Sequence, residues 1–475
     1  MSLIIPANSA SAGGYDVDNS CRFQDSDSSE MSRAIASTGN NQTWTVSAWV
    51  KRVELGQSTP IFGTGDGSAN NDARMVFFDA DDKIECSYYN SGFTYEVTTN
   101  RLFRDVSAWY HICILFDTTE STASNRVKIY VNGTQETSLA TASYPSENAS
   151  FNFGNTSYTH YVNDMGGRNI RGSSYISELV YLDGTASAVT NFGEFDGDSG
   201  IWKAIDVEGL SGSKGTNGVY FDFEDSANLG NDVWGGTDFT EAGLDAQNQT
   251  TDTCTNNGAT WNSLDNYAPA ATFAEGNLQI TTGGSNIYSF NNSTIAVSSG
   301  KWYAEVKVLT TATNNFNMIG ISALSPVYYR SSPWGELGGN AYAYAYVGYD
   351  GKYYTSGSYT DYGDTYSTSI IGIYLDLDNN KLYFSKDGAL QNSGTGITIT
   401  APASTPTGHY FFSAGNYIDN NAVYSANFGS AAFAISSANA DDNGYGAFEY
   451  SPNITGDSTA KKFYTLNTKN LAEFG

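Results

Sequence analysis

The chain has 475 residues and sets 23 Lys plus Arg against 50 Asp plus Glu, a formal net charge of −27. It has no cluster of cations to replace the counterions of a phosphate backbone, which excludes a nucleic-acid binder. No stretch approaches the roughly 18 apolar residues of a membrane span. Tyr (34) and Gly (49) are abundant, Pro (9) is scarce and charged residues are only 15%, a composition of strands and tight turns that puts the chain in the all-β class with room for two or three domains.

In chain order, MSLIIPANSASAGG lacks a basic n-region, and its apolar run is only Leu3-Ile4-Ile5, so no secretion signal is expected. Gln42 to Arg52 alternates, with Trp44, Val46, Ala48 and Val50 on one face. Ala73 to Tyr89 reads as a hairpin turning at Asp79 to Asp82. Trp109 to Asp117 is apolar on both faces, as in a central strand between layers. Arg126 to Glu136 is a second hairpin with Val127, Ile129 and Val131 inward and Asn132-Gly133 at the turn. Tyr175 to Gly184 is a late strand. The set SAWVKR, WYHICILFD, VKIYVNGT and ISELVYLDG resembles the laminin-G-like, or concanavalin A-like, sandwich over roughly residues 20 to 190.

Residues 191 to 268 carry short apolar runs broken by Gly, Asn and Asp, and read as a partly ordered connector with a strand at Gly218 to Asp225. Beyond it, Ile370 to Gly388 (IIGIYLDLDNNKLYFSKDG) reads as a hairpin turning at Asn379-Asn380. That register pairs Leu377 with Leu382 and Leu375 with Phe384 on a core face, and Asp376 with Tyr383 and Tyr374 with Ser385 on a wet one. With SSGKWYAEVKVL and NMIGISAL before it, and HYFFSAGN and ANFGS after it, the hairpin resembles the signature of SPRY domains over roughly Pro269 to Ile435. That resemblance implies a bent two-sheet sandwich that binds partners through loops and is not an enzyme. The expected domains are therefore 1–190, a connector 191–268, 269–435, and a C-terminal segment 436–475, too apolar for a free tail, that docks back.

The laminin-G-like domain, the GVYFDFEDSANLGND connector, TNNGATWNSLDN, the SPRY-like domain and the FYTLNTKNL ending together resemble virion structural proteins of tailed bacteriophages, marine ones especially. The resemblance implies a fibre or fibre-associated attachment component. Its partners would be other virion proteins, further copies of itself (a trimer in a fibre), and a host-surface glycan or protein receptor. It would be assembled in the host cytoplasm and located in the virion. A capsid decoration or head-fibre protein, a glycan-degrading depolymerase and a bacterial adhesin are the alternatives.

Chemistry has few candidates. Glycoside hydrolysis needs two carboxylates flanking the bond, and the nearest aligned acids, Glu194, Asp196 and Asp198, stand among glycines in a turn-like run. His111, His160 and His409 fall in no triad or zinc spacing, and Cys21, Cys86, Cys113 and Cys254 show no ligand spacing. Calcium is the ion the loops suit, with oxygens from Asp66 and Asp72 in GDGSANND and from Asp79, Asp81 and Asp82 in DADD. The binding candidate is the tyrosine stretch from 340 to 366. There Tyr342, Tyr344 and Tyr346 share one face of a strand against Ala341, Ala343, Ala345 and Val347. If the small face looks inward, the rings make an outward platform, joined by Tyr349, Asp350, Tyr353, Tyr354, Tyr359, Asp361 and Tyr362. The opposite orientation puts the rings in the core.

Overall fold

The computed structural model describes residues 14–266, 271–283, 288–326, 336–416, 421–454 and 461–475. The stretch read for a secretion signal lies outside them, up to residue 13. The chain divides into a unit of Ser11–Thr255 and one built on Asn256–Gly475. Both are β-sandwiches, and the fold is all-β. The α-helix among the described residues is Thr468–Phe474, at the C-terminus. No described helix is long and apolar enough to cross a membrane.

In the first unit one sheet runs Thr134–Gln135, Val127–Val131, Trp109–Asp117, Thr43–Arg52, Ser174–Asp183, Ser20–Phe23, Gln249–Thr250, with Val219–Phe221 also on Ser174–Asp183. The other runs Leu139–Ser143, Phe93–Thr99, Ile84–Tyr89, Asp72–Phe78, Thr59–Gly65, Thr159–Val162, Glu30–Ala34, Thr240–Ala242. The alternation of Trp44, Val46, Ala48 and Val50 buries all four in the core between these sheets, where Trp44 stacks on Phe116 at 5.0 Å. Trp109–Asp117 is buried on both faces as its sequence demands. Ile112, Ile114 and Phe116 point into that core, and Cys113 points into a second cluster with Val180 and Tyr220. The turn at Asn132-Gly133 has both residues at positive φ, 47° and 74°, the geometry of a two-residue hairpin loop.

The stretch 191–268, expected as a partly ordered connector packing on one of the sandwiches, lies mostly within the first one. Val219–Phe221, Thr240–Ala242 and Gln249–Thr250 each extend a sheet of the first sandwich, and the unit boundary falls at 255/256. Short strands broken by Gly and Asn read as loop because their partners lie 38 or more positions away along the chain.

In the second unit one sheet runs Thr272–Ala274, Gln279–Thr281, Val423–Asn427, Lys301–Thr310, Ile370–Asp376, Lys381–Lys386, Ala389–Leu390, with Ile397–Thr398 and Tyr464–Thr465 at its sides. The other runs Ser289–Val297, Tyr410–Asn416, Asn317–Ser322, Ala343–Val347, Lys352–Thr355, Ser358–Asp361. Trp302, Ile373, Leu375, Leu382, Phe384, Phe412 and Tyr424 fill the space between them.

The 370–388 hairpin forms, but its register is two residues from the expected one: Leu375 opposes Leu382 and Ile373 opposes Phe384. The turn takes four residues, Leu377 to Asn380. The Asp376 carboxylate accepts hydrogen bonds from Asn379 N and Nδ2, and only Asn380 of the asparagine pair has positive φ. A shift of two preserves faces, so the core assignment stands. The opposite face is not wet. The described parts of residues 436–475 return across it: Phe448, Ile454 and Phe463 cover Tyr303, Tyr374 and Tyr383, and Asp376 is fully buried. Glu305 fixes this strap by accepting from Glu449 N (3.0 Å), Tyr450 N (2.7 Å), the Tyr303 hydroxyl (3.0 Å) and Asn427 Nδ2 (3.0 Å).

Candidate functional site

The tyrosine stripe is turned the other way round from the outward platform. Ala343–Val347 is an interior strand, and Tyr344 and Tyr346 point into the sandwich core, 5% and 0% exposed, with Tyr342 partly buried against it. Their hydroxyls are satisfied there. Tyr344 donates to the Ala341 carbonyl, and Tyr346 donates to the Asp364 carbonyl and to Gln391 Oε1 at 3.3 Å. The alanine face is covered as well, by Phe290, Met318, Leu337 and Tyr354. Small residues marked a second packed layer, not the main core. Tyr362 is buried and its hydroxyl accepts from Phe384 N; the Tyr354 hydroxyl donates to Glu336. Tyr353 is partly buried and Asp350 is half-exposed beside Lys352. Only Tyr349, stacked on Phe316, Tyr359, packed on Tyr354, and Asp361 remain exposed, on the outermost strand and a turn.

The calcium carboxylates are not brought together. Asp72 is buried between Arg74 (3.2 Å) and Arg168 (2.8 Å), and Asp82 between Arg52 (3.0 Å) and Arg104 (2.7 Å). Asp66 accepts from Ser68 N and Asn71, Asp79 from the backbone of Asp81 and Lys83, and Asp81 pairs with Lys83. Among the described residues no group of three or more His, Cys, Asp or Glu is placed to hold a metal. Asp72 and Asp82 are instead neutralised by guanidinium groups. Glu194 lies in the Gly193–Phe195 strand opposite Lys203, and Asp196 and Asp198 at the tip of that hairpin, where Asp196 caps the turn and Lys203 pairs with Glu194 and Asp196. His111 is buried against Ser47 Oγ (2.9 Å), and burial pushes its pKa down to about 3.

A site the sequence reading missed lies on the first unit's second sheet, on the face turned away from the core. In Asp72–Phe78 one extra residue, Met75-Val76 against Cys86, bulges the strand and puts Arg74 and Phe77 on the same outer face. The neighbouring strands add Glu85, Ser87 and Tyr89, then Phe93, Glu96 and Thr98. The Arg74 guanidinium is clamped by Asp72 (Nε, 3.2 Å) and Glu85 (Nη1, 3.0 Å). Three rings surround it, Phe77 at 5.3 Å, Phe93 at 5.3 Å and Tyr89 at 6.0 Å. Its Nη2 has no hydrogen-bond partner among the described residues. Burial raises the Glu85 pKa, with Arg74 and the Ser87 hydroxyl (2.5 Å) opposing the rise. Phe93 is 47% exposed and meets Tyr89 edge-on at 5.3 Å. The result is an aromatic edge beside a fixed donor and fixed carboxylates, groups that stack on a ring and hydrogen-bond its hydroxyls. Its sequence trace is Glu85, Ser87 and Tyr89 at every second position, with Arg74 and Glu96 on the strands to either side. The trace could be read only once Phe93–Thr99 was seen as the hairpin's third strand.

The two β-sandwiches match two known domain families. Residues 25–168 match the concanavalin A-like lectin/glucanases superfamily, and residues 301–420 match the SPRY domain. The chain thus carries a concanavalin A-like domain followed by a SPRY domain. Among solved structures it is similar to the SPRY domain of human HERC1, at 13% identity over 35% of this chain and 96% of that one, with a TM-score of 0.28. It is also similar to a human SPRY domain, at 16% identity over 31% of this chain and 90% of that one, with a TM-score of 0.24. No curated protein sequence matches the chain.

Proposed function

We propose that the chain is a non-enzymatic binding protein whose first unit holds a glycan on the Arg74 face. The observation that carries this is the half-exposed Phe93 ring beside a guanidinium locked by two carboxylates, within the domain that matches the lectin superfamily. Sugars are held by ring stacking plus preset hydrogen bonds, and both are supplied there without ordering any side chain. The carboxylates first considered for hydrolysis serve a turn and ion pairs in the 193–204 hairpin, which supports a binding role. In its finer form the reading is a host-attachment component of a tailed-phage virion, present as a homo-oligomer so that weak sites add through avidity. The chain-order resemblance to such proteins supports that form.

The test is a glycan array on the purified chain, with titration of its best ligand. Phe93→Ser should lower affinity about tenfold, the size of one lost aromatic contact. Equal binding by the variant would remove the Arg74 face from the reading. Electron microscopy of an intact particle, with the chain antibody-labelled, checks the virion assignment.

A further inference from the structure

The second unit has a cleft of about 340 Å³ outside its sheet core, lined by Gly300, Lys301, Asp378, Lys462, Tyr464 and Phe474. The C-terminal strap and helix build it against the start of Lys301–Thr310. Gly300, at φ 79°, lets the helix end come close: a Cβ there would stand 2.5 Å from the Phe474 carbonyl oxygen. That approach lays the Phe474 ring face to face on Tyr464, with centroids 3.8 Å apart and planes 12° from parallel. The two rings form one aromatic wall. Lys301 and Lys462 come from different elements, each steadied by one carboxylate: Lys301 by Asp378 at 3.8 Å, Lys462 by Asp442. Each ammonium has three donors, so one carboxylate partner leaves donors for a ligand. Asp378 takes Gly300 N on Oδ1 (3.0 Å), which fixes its Oδ2 beside the cleft.

We propose that this cleft binds a carboxylated pyranose, a uronic or sialic acid residue. The carboxylate would lie between Lys301 and Lys462, the sugar hydroxyls would donate to Asp378, and the apolar ring face would rest on the aromatic wall. In a chain with 50 acidic and 23 basic residues, two lysines lining one aromatic-walled cleft are a specific arrangement for an anion that also has a ring face. The volume lies within the range of small-ligand sites, roughly 300–1,000 Å³. The site is separate from the Arg74 face and does not rest on it.

The experiment titrates the full chain with glucuronic acid, N-acetylneuraminic acid and, as a neutral control, glucose, by saturation-transfer NMR and calorimetry. In the Phe93→Ser chain, where the Arg74 face is weakened, at least one acid should bind while glucose does not, and the affinity should fall with added salt. Lys462→Gln and Lys301→Gln, at side chains 57% and 28% exposed, keep the fold and should each weaken binding about tenfold or more. Phe93→Ser should leave it unchanged. The proposal is overturned if neither acid binds, if glucose binds the Phe93→Ser chain as well as the acids do, or if both lysine variants bind like the parent. Loss of acid binding in Phe93→Ser alone would assign it to the first unit and overturn the proposal equally.

Discussion

Each unit has a sheet face turned away from its core that carries aromatic and acidic side chains at alternate positions, and the two faces meet different fates. In the first unit the row ends at an uncovered edge: Phe93 is 47% exposed and Tyr89 and Arg74 are partly exposed, with Glu85 buried beside them. In the second, Tyr303, Glu305, Tyr374 and Tyr383 lie under Phe448, Ile454 and Phe463 of the returning strap. The local pattern is the same kind. The difference is a segment that starts about fifty positions beyond the hairpin it covers. A face with alternating polar residues is therefore an offer of a surface, and whether it becomes a binding site depends on what else the chain lays over it.

The largest effect expected from breaking this comparison is in the tyrosines that turned inward. Tyr346→Ala should cost the second unit about 3–5 kcal/mol, as a large-to-small core change. Tyr359→Ala, on the outermost strand, should cost no more than about 0.5 kcal/mol. Urea denaturation of both variants checks this, and similar losses would return the stripe to the surface. Next is the strap. Glu305→Ala leaves four donors without their acceptor and should cost about 2–3 kcal/mol, since buried donors stripped of a partner bear their full desolvation penalty. Proteolysis near Glu449 should then become faster than in the parent, with the 20–255 region unaffected.

A smaller effect concerns two of the buried glutamates, Glu305 and Glu178, both raised in pKa by burial. Glu305 has four donors, whereas Glu178, at a left-handed bulge (φ 49°) in Ser174–Asp183, accepts from Tyr220 at 2.8 Å and Tyr15 at 3.4 Å. Burial pushes its pKa up to about 8. The folded state then keeps a proton that the unfolded chain, with a carboxyl near 4.5, has lost. Stability contributed by this group is full below about pH 4.5, falls as pH rises, and levels off above about pH 8. Glu178→Gln should remove that slope and melt higher than the parent at pH 9, as followed by thermal denaturation between pH 5 and 9. A parent curve as flat as the variant's would show that the carboxyl ionises freely. The smallest effect on stability is expected for Phe93→Ser, within about 0.5 kcal/mol. A large loss there would mean that the open face is as packed as the covered one.

The sequence by itself determined the all-β class, the two sandwiches, and the inward faces of Thr43–Arg52, Val127–Val131 and the 370–388 hairpin. These follow from alternation and turn chemistry within ten or so residues, where side-chain direction is set by the pleat. It also predicted the Asn132-Gly133 turn, because few residue pairs tolerate two positive φ angles. The tertiary structure alone decided the rest. The hairpin register moved by two because Asp376 captures Asn379 and enlarges the turn. The stretch 191–255 joined the first sandwich because short strands gain their hydrogen bonds only from partners far along the chain. Asp72 and Asp82 went to arginines rather than to a cation because Arg52, Arg74, Arg104 and Arg168 reach them only in the folded state. Tyr344 and Tyr346 went inward because both faces of an interior strand are buried, and alternation cannot say which of two covered faces is the deeper.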